Sequence, residues 1–183
     1  EFTVVGVHGY PFVVSAGSFF QVNLGMAEKL IDYLLDELPL SEEAVVLDVY
    51  CGVGLFSVFL APYVKKLIGI EASPSAAEDF MYNLGEFENV ELYPARAEEV
   101  LPALDLKPEI VLVDPPRGGI SGEALDAITA LEPECLCYVS GDPATLGRDV
   151  RRLQNHGYHL QHSTPFDMFP QTYHLESVNL FQK

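Results

Sequence analysis

Residues 45–54 read VVLDVYCGVG and decide the fold, because a short apolar run leads straight into a turn with two glycines. A continuous apolar run of this kind is typical of a strand buried on both faces of a parallel sheet. Gly52 and Gly54 let the backbone turn sharply and pass close to a ligand at the start of the next helix. The same turn also closes many strand-to-helix loops that bind nothing, so alone it does not establish a site.

Outward from this stretch, apolar runs alternate with helical segments of about 10–15 residues, which predicts an α/β fold with a doubly wound, mostly parallel sheet. The predicted strands after the first are KLIGIE (66–71), VELYPA (90–95), EIVLVD (109–114) and CLCYVS (135–140). The predicted helices are 55–64, 73–87 with Ser73 as its N-cap, and 143–155. Two further strands, about 158–165 and 174–181, lie too close together for a crossover helix. We therefore expect an antiparallel C-terminal edge.

The remaining N-terminal part divides in two. Residues 1–23 hold short apolar runs broken by Gly and His, which predicts a hairpin or extended arm. A helix is predicted from Met26 to Leu38, ending near Pro39. We expect 1–23 to lead in from a further N-terminal region, and 24–183 to form the main domain.

Composition limits the function classes. A length of 183 residues suits one domain. Three cysteines exclude a disulfide scaffold and fit a reducing, cytoplasmic location, and charged residues cut every apolar run before it could span a membrane. The net charge of −17 excludes a stand-alone nucleic-acid binder that relies on phosphate neutralisation. RNA binding by this chain therefore needs a local basic patch or another segment.

Two acids follow strands of the predicted sheet, where ligands of such folds bind. Glu71 lies about 20 residues after the first glycine, a spacing that suits an acceptor for ribose hydroxyls. The third glycine of the dinucleotide fingerprint and a Walker lysine are both absent, so a nucleoside without pyrophosphate fits best, and S-adenosylmethionine is the common one. Asp114 opens DPPRGG, a rigid turn that fixes a carboxylate at the same edge. Either acid could instead be an ordinary strand-end residue.

Basic residues gather near the same edge. Three of them share one face of the last predicted helix at i, i+3 and i+4. With Arg117 they form the candidate phosphate patch: Arg117, Arg148, Arg151 and Arg152. A solvated helix face explains the three helical arginines equally well. Asp142 is predicted to cap this helix, with Pro143 at its first position.

Six blocks of the sequence, taken in order, carry a resemblance to a known family. They are SFFQVN (18–23), VVLDVYCGVGLFSVFLA (45–61), GIEASP (69–74), VLVDPPRGG (111–119), YVSGDPATLGRD (138–149) and DMFPQTYHLESVNLF (167–181). Together they resemble the catalytic domain of the S-adenosylmethionine-dependent RNA uracil-5-methyltransferases, which act on tRNA or 23S ribosomal RNA. The resemblance implies a class I methyltransferase fold, S-adenosylmethionine or S-adenosylhomocysteine as cofactor, and structured RNA as partner. It also implies an N-terminal RNA-binding domain, and in some members a four-cysteine iron–sulfur site, neither of which is present in these residues. We predict no metal site here and expect a C-terminal fragment.

The resemblance also assigns roles. It implies cofactor contacts by Gln21, Tyr50, Gly52, Gly54, Glu71, Arg96 and Asp114, and it makes Glu176 the general base. In the family a cysteine thiolate adds to carbon 6 of uracil, and carbon 5 then attacks the methyl group of the cofactor. A carboxylate removes the carbon-5 proton, and the thiol is eliminated from carbon 6. That cysteine lies in an S-C-[DN]-P block, which here reads Ser-Gly-Asp-Pro, so the nucleophile position is Gly141.

Glycine has no side chain that can add to carbon 6, and no other cysteine replaces it. Cys137 lies about 13 Å back along the strand and is expected to be buried, Cys135 lies further back, and Cys51 belongs to the cofactor turn. Three alternatives stay open. The chain is a natural family member that binds cofactor or RNA without this reaction, or Gly141 is a substitution introduced into an active enzyme, or the methyl transfer needs no covalent step. The last resembles adenine-N6 chemistry, but Arg117 stands where that chemistry has an aromatic residue.

Overall fold

The run VVLDV forms an interior strand, the third of seven, in the main sheet of a computed structural model that describes all 183 residues. The strands are β1 (Phe2–Val7), β2 (Tyr10–Ser15), β3 (Val45–Val49), β4 (Lys66–Ile70), β5 (Val90–Tyr93), β6 (Ile110–Val113), β7 (Cys135–Ser140), β8 (His159–Phe166) and β9 (Glu176–Gln182). The α-helices are α1 (Leu24–Glu37), α2 (Leu55–Leu60), α3 (Pro74–Asn83), α4 (Ala97–Val100), α5 (Gly122–Ala130) and α6 (Pro143–Asn155), and 3-10 turns follow α2 and α4. None of the helices is both long enough and apolar enough to cross a membrane.

The sheet has the strand order β5-β4-β3-β6-β7-β9-β8, which confirms the predicted class I methyltransferase fold. The five strands from β5 to β7 run parallel, whereas β9 pairs antiparallel with both β7 and β8. The C-terminal strand β9 is therefore inserted inside the sheet, and β8 forms the edge. The strand order reverses between β3 and β6, which is where open α/β sheets bind their ligands.

Alternate residues of the central strands feed two hydrophobic cores, one on each face of the sheet. In β3, Val46 faces the core shared with α1 and the hairpin, while Leu47 and Val49 face the core shared with α5 and α6. All three side chains are fully buried. This double burial explains why β3 reads as a continuous apolar run rather than as an alternating one.

The predicted N-terminal hairpin is confirmed as β1 and β2, joined at His8 and Gly9, which both have positive φ. Two-residue hairpin turns with positive φ match the natural twist of the strands. Val7 and Phe12 are buried in the same core as α1. The hairpin therefore packs as part of the main domain rather than extending away from it.

Two local features differ from expectation. Helix α5 was not predicted, although Ser121 caps it by accepting a hydrogen bond from the Ala124 N–H and Leu125 and Ile128 give it a short apolar face. Ser73 stands at the predicted N-cap of α3, but its side chain makes no capping bond. Asp142 caps α6 as predicted, accepting hydrogen bonds from the N–H groups of Ala144 and Thr145.

Candidate active site

A cavity of about 990 Å³ opens at the carboxyl ends of β3, β4 and β6, on the switch in strand order. Most of the residues predicted for the site line it: Gln21, Tyr50, Gly52, Glu71, Arg96, Asp114, Arg117, Gly141 and Glu176. Gly54 and the three arginines of α6 do not line it. Residues more than 150 positions apart in sequence thus meet in one space of a size typical for small-molecule sites.

The turn after β3 is joined to Glu71 at the end of β4. The Gly52 N–H donates to Glu71 Oε2 at 2.9 Å, and the Ser73 N–H donates to Glu71 Oε1 at 2.7 Å. Tyr50 has φ of 66°, a left-handed conformation that costs a non-glycine residue free energy and that clusters at functional sites. These contacts fix the acid at the cavity wall.

Gly54 serves packing rather than the cavity. Its φ is 90°, and a β-carbon there would lie 2.2 Å from the Leu84 side chain and 3.0 Å from that of Phe80. Only glycine lets α3 approach the turn this closely. The glycine pattern found in the sequence therefore combines one residue at the cavity with one residue at a helix contact.

Asp48 is a buried acid beneath this turn. Its Oδ2 accepts a hydrogen bond from the Ser57 hydroxyl at 2.6 Å, while its Oδ1 has no partner. Burial raises the pKa of Asp48 to about 7, the negative charge of Glu71 adds to this rise, and the Ser57 hydrogen bond opposes it. The ionisation equilibrium of this carboxyl group therefore lies near neutral pH.

Asp114 and Glu176 form a second pair of acids. Burial raises the pKa of Asp114 well above its usual range, and the charges of Glu176 and Asp48 raise it further. Burial also raises the pKa of Glu176, against which the positive charge of Arg117 acts. The cavity thus holds two carboxyl groups that bind protons more tightly than they would in water.

Gly141 and Glu176 are brought together by strand register. Ser140 of β7 pairs with Ser177 of β9, so the next position along the antiparallel pair places Gly141 opposite Glu176. A β-carbon on Gly141 would lie 3.3 Å from Glu176 Oε2. A side chain at position 141 would therefore point at the carboxylate that the sequence predicts as general base.

The three cysteines offer no substitute nucleophile. Cys51 lines the cavity within the glycine turn, whereas Cys135 and Cys137 are buried in β7. Burial raises the pKa of all three thiols, that of Cys135 to about 11. A buried thiol that keeps its proton is unreactive.

Comparison with known proteins decides the family. A family model described as tRNA (uracil-5-)-methyltransferase matches residues 4–183. The chain belongs to this family. An uncharacterized RNA methyltransferase of Oceanobacillus iheyensis is 41% identical over 172 residues, which are 91% of this chain and 38% of the relative. One of Clostridium acetobutylicum is 40% identical over 179 residues, which are 95% of this chain and 39% of the relative.

Among solved structures, the tRNA (uracil-54, C5)-methyltransferase of Pyrococcus abyssi, determined with S-adenosyl-L-homocysteine, superposes with a TM-score of 0.85. It is 29% identical, and the match covers 99% of this chain and 44% of that protein. The chain therefore spans about two fifths of the length of its curated relatives. The superposition shows that nearly the whole of this chain shares the fold of that protein.

The helical arginines of this chain do not form one patch. Arg148 Nε donates to the buried carboxylate of Asp149 at 2.8 Å, and its Nη2 donates to the carbonyls of Gly118 and Ile120. Arg152 does not line the cavity but lies in an adjoining polar groove of about 740 Å³, which also contains four acids and shares Arg96 with the cavity. Arg151 is exposed and makes no hydrogen bond or salt bridge. Sequence spacing placed these residues on one helix but did not show that Arg148 is tied to the DPPRGG loop.

Sequence reasoning also missed what holds the SFFQ segment over the cavity. Asp79 of α3 accepts hydrogen bonds from the Ser15 N–H, the Ser15 hydroxyl and the Ser18 hydroxyl, at 2.6–2.8 Å. Asn83, one turn later, bonds the N–H and the carbonyl of Val13. Burial would raise the pKa of Asp79, but the hydrogen bonds from Ser18 and Ser15 outweigh it and lower that pKa. Two polar residues on the buried side of a predicted helix were the available signal.

Proposed function

We propose that this chain is the cofactor-binding and catalytic part of an RNA methyltransferase built for carbon 5 of uridine, and that Gly141 removes its covalent step. The observation that carries the proposal is the pairing of Gly141 with Glu176 across β7 and β9, at the wall of one cavity. The nucleophile position and the general base of the resembling family thus face each other here. Only the side chain of the nucleophile is lacking.

The cavity fits S-adenosylmethionine by its chemistry. A nucleoside needs an acceptor for its ribose hydroxyls, and Glu71 lies just after β4, at the cavity wall beside the half-buried Gly52. The buried amide of Gln21 and the carboxyl group of Asp114 add polar groups to an otherwise largely apolar wall. The Pyrococcus abyssi relative, whose structure contains S-adenosyl-L-homocysteine, supports this choice. When bound, the cofactor supplies an electrophilic methyl group on a sulfonium.

Glu176 has the properties of a proton acceptor. Its side chain is only 7% exposed, and burial raises its pKa, so it holds a proton more firmly than an exposed glutamate. Arg117 lies at the same cavity and keeps the ionised form of Glu176 accessible. The chain therefore retains the carboxylate that would remove the carbon-5 proton once a nucleophile had added to carbon 6 and carbon 5 had been methylated.

Unlike the general base, the nucleophile of the covalent step has no counterpart in this chain. Carbon 5 of uracil is a poor nucleophile until a group adds to carbon 6, and glycine offers none. The buried cysteines of β7 cannot replace it. We therefore expect the chain to bind cofactor and a pyrimidine but to transfer methyl at least about 1,000-fold more slowly than a cysteine variant, as is usual when a covalent nucleophile is lost.

The test compares the unchanged chain with Gly141→Cys and Gly141→Ala. Both variants add the same β-carbon, to which Glu176 adjusts by a few tenths of an ångström, but only one adds a thiol. Labelled S-adenosylmethionine and a uridine-rich structured RNA are supplied, and label on carbon 5 is measured after nuclease digestion. We expect transfer by Gly141→Cys alone.

A second measurement separates chemistry from binding. RNA that carries 5-fluorouridine has no removable carbon-5 proton, so a covalent enzyme–RNA adduct persists and survives denaturing electrophoresis. We expect this adduct with Gly141→Cys and not with Gly141→Ala. Transfer to carbon 5 by the unchanged chain would refute the loss of the covalent step, and failure of calorimetry to detect S-adenosylmethionine at millimolar concentration would refute the cofactor assignment. An RNA-binding region outside these residues, and a cytoplasmic location, stay predictions.

A further inference from the structure

An aromatic series leads from the cavity to the solvent. Phe169 lines the cavity, the ring of His174 lies 5.9 Å from it in an edge-on arrangement, and the ring of Tyr173 lies 4.3 Å from that of His174. Tyr173 itself is 91% exposed. The outermost ring therefore has one neighbour on the protein side and water on the other.

The turn that carries these rings is held in place by its own hydrogen bonds. The Thr172 hydroxyl donates to the Phe169 carbonyl at 2.7 Å, and the His174 N–H donates to Thr172 Oγ1 at 3.2 Å. Asn23, at the start of α1, donates to the Met168 carbonyl. The rings are thus presented by a defined turn, and a partner that stacks on them needs little reordering.

The aromatic rings lie close to Glu176, the residue that we propose as general base. Tyr173 precedes Glu176 by three residues, and Glu176 faces Gly141 at the cavity wall. A uridine whose carbon 5 reaches Glu176 must leave its stack, so its neighbours in the strand are also exposed to the protein. Bases without a partner stack on aromatic side chains, and the exposed Arg117 at the same cavity offers a charge for a phosphate.

We infer that Tyr173, backed by His174, is a stacking platform for the unpaired RNA nucleotide next to the target uridine. The inference rests on the proposed function, because it takes RNA as the substrate and Glu176 as the position of the reacting base. The net charge of −17 makes a stacking contact more useful to this chain than to a basic RNA binder. A ring contact also recognises any base, so the platform supports binding of a loop without fixing its sequence.

The test uses a short RNA hairpin with a uridine in its loop and 2-aminopurine as the next nucleotide, titrated at low salt with S-adenosylhomocysteine present. Stacking on a ring quenches the fluorescence of 2-aminopurine. The variants are Tyr173→Ala and Tyr173→Phe. Tyr63→Ala is the control. Tyr63 is also exposed, but it lies just before β4, at the amino ends of the parallel strands and so away from the cavity at their carboxyl ends.

We expect Tyr173→Ala to bind the hairpin about 5- to 100-fold more weakly and to lose the quenching, while Tyr173→Phe and Tyr63→Ala behave like the unchanged chain. Cofactor affinity, measured by calorimetry, stays the same in all of them. Equal binding and quenching by Tyr173→Ala would overturn the platform, as would the absence of hairpin binding by a chain that binds cofactor. Absence of cofactor binding in the unchanged chain would instead refute the proposed function.

Discussion

Arg148 and Asp149, neighbours on α6, form an ion pair that ties this helix to the DPPRGG loop. Asp149 is fully buried, and besides Arg148 Nε its carboxylate accepts hydrogen bonds from the Ile120 N–H and the Tyr138 hydroxyl, each at 2.9 Å. Arg148 in turn donates to the Gly118 and Ile120 carbonyls. The loop that begins with Asp114 is thus held from two sides by one charged pair.

Arg148→Ala should therefore act on stability and on the site together. Loss of the guanidinium group leaves Asp149 Oδ1, in a buried carboxylate, without a hydrogen-bond donor. This costs about 1–3 kcal/mol in the free energy of unfolding and lowers the melting temperature by roughly 3–8 °C. Cofactor affinity should fall as well, because Asp114 begins the same loop. Arg151→Ala, on the same helix but at an exposed residue without a hydrogen bond or ion pair, is the matched control and should change neither quantity. Equal melting curves for the two variants would show that the ion pair contributes nothing.

Asp79 is expected to act on the cofactor site through the segment that it holds. The Asp79 carboxylate accepts three hydrogen bonds, whereas the amide of Asp79→Asn has one oxygen that accepts and one NH2 group that can only donate. We therefore expect a loss of about 1.5–3 kcal/mol in the free energy of unfolding. Calorimetry should also show weaker cofactor binding, because Gln21 follows the held segment by three residues. Glu78→Gln, on the exposed side of the same helix, should leave both values unchanged. Unchanged cofactor affinity in folded Asp79→Asn would limit Asp79 to a structural role.

Glu71 is the acid that we expect to bind the ribose hydroxyls. Glu71→Ala removes charged hydrogen bonds worth about 1.5–3 kcal/mol, so cofactor affinity should fall at least about tenfold. Glu42→Ala serves as control, because Glu42 is exposed and lies just before β3, at the amino ends of the parallel strands. Calorimetric titration with S-adenosylhomocysteine measures both. An unchanged affinity in Glu71→Ala would exclude Glu71 from the site.

Stability should depend on pH through Asp48. Because burial raises the pKa of Asp48 to about 7, the folded protein keeps a proton that the unfolded chain releases near its ordinary value of 3.8. The stabilising contribution is therefore complete below about pH 4 and is lost as the pH rises towards 7, by up to about 4 kcal/mol. Asp114 acts in the same direction, since its pKa is also raised.

The measurement is the free energy of unfolding of the cofactor-free chain between pH 5.5 and 8. Stability should fall across this range in the unchanged chain and fall less in Asp48→Asn, which cannot ionise. Acids whose pKa is lowered, such as Asp79 and Glu98, lose their contribution only at lower pH and do not mask the effect. Parallel pH profiles for the two proteins would show that Asp48 is ionised throughout.

The fold class and most of the residues that line the cavity can be predicted from the amino-acid sequence alone. Apolar runs reveal strands buried on both faces, because apolar side chains pack against a core on either side of the sheet. The residues that follow these strands gather at the carboxyl-end edge of a parallel sheet. This reasoning identified Glu71, Asp114 and the glycine turn, and the sequence blocks added Gln21 and Glu176. The same blocks predict that Gly141 stands at the family's nucleophile position.

Only the tertiary structure decided which of these residues act together. Spacing along a helix placed Arg148 beside Arg151 and Arg152, but the buried carboxylate of Asp149 directs Arg148 towards the DPPRGG loop. The pairing of Gly141 with Glu176 depends on the register of β7 and β9, strands whose contact is long-range. A shift of one residue would turn Glu176 to the other face of the sheet. Register is set by packing on both faces of the whole sheet, and no local stretch of sequence contains that information.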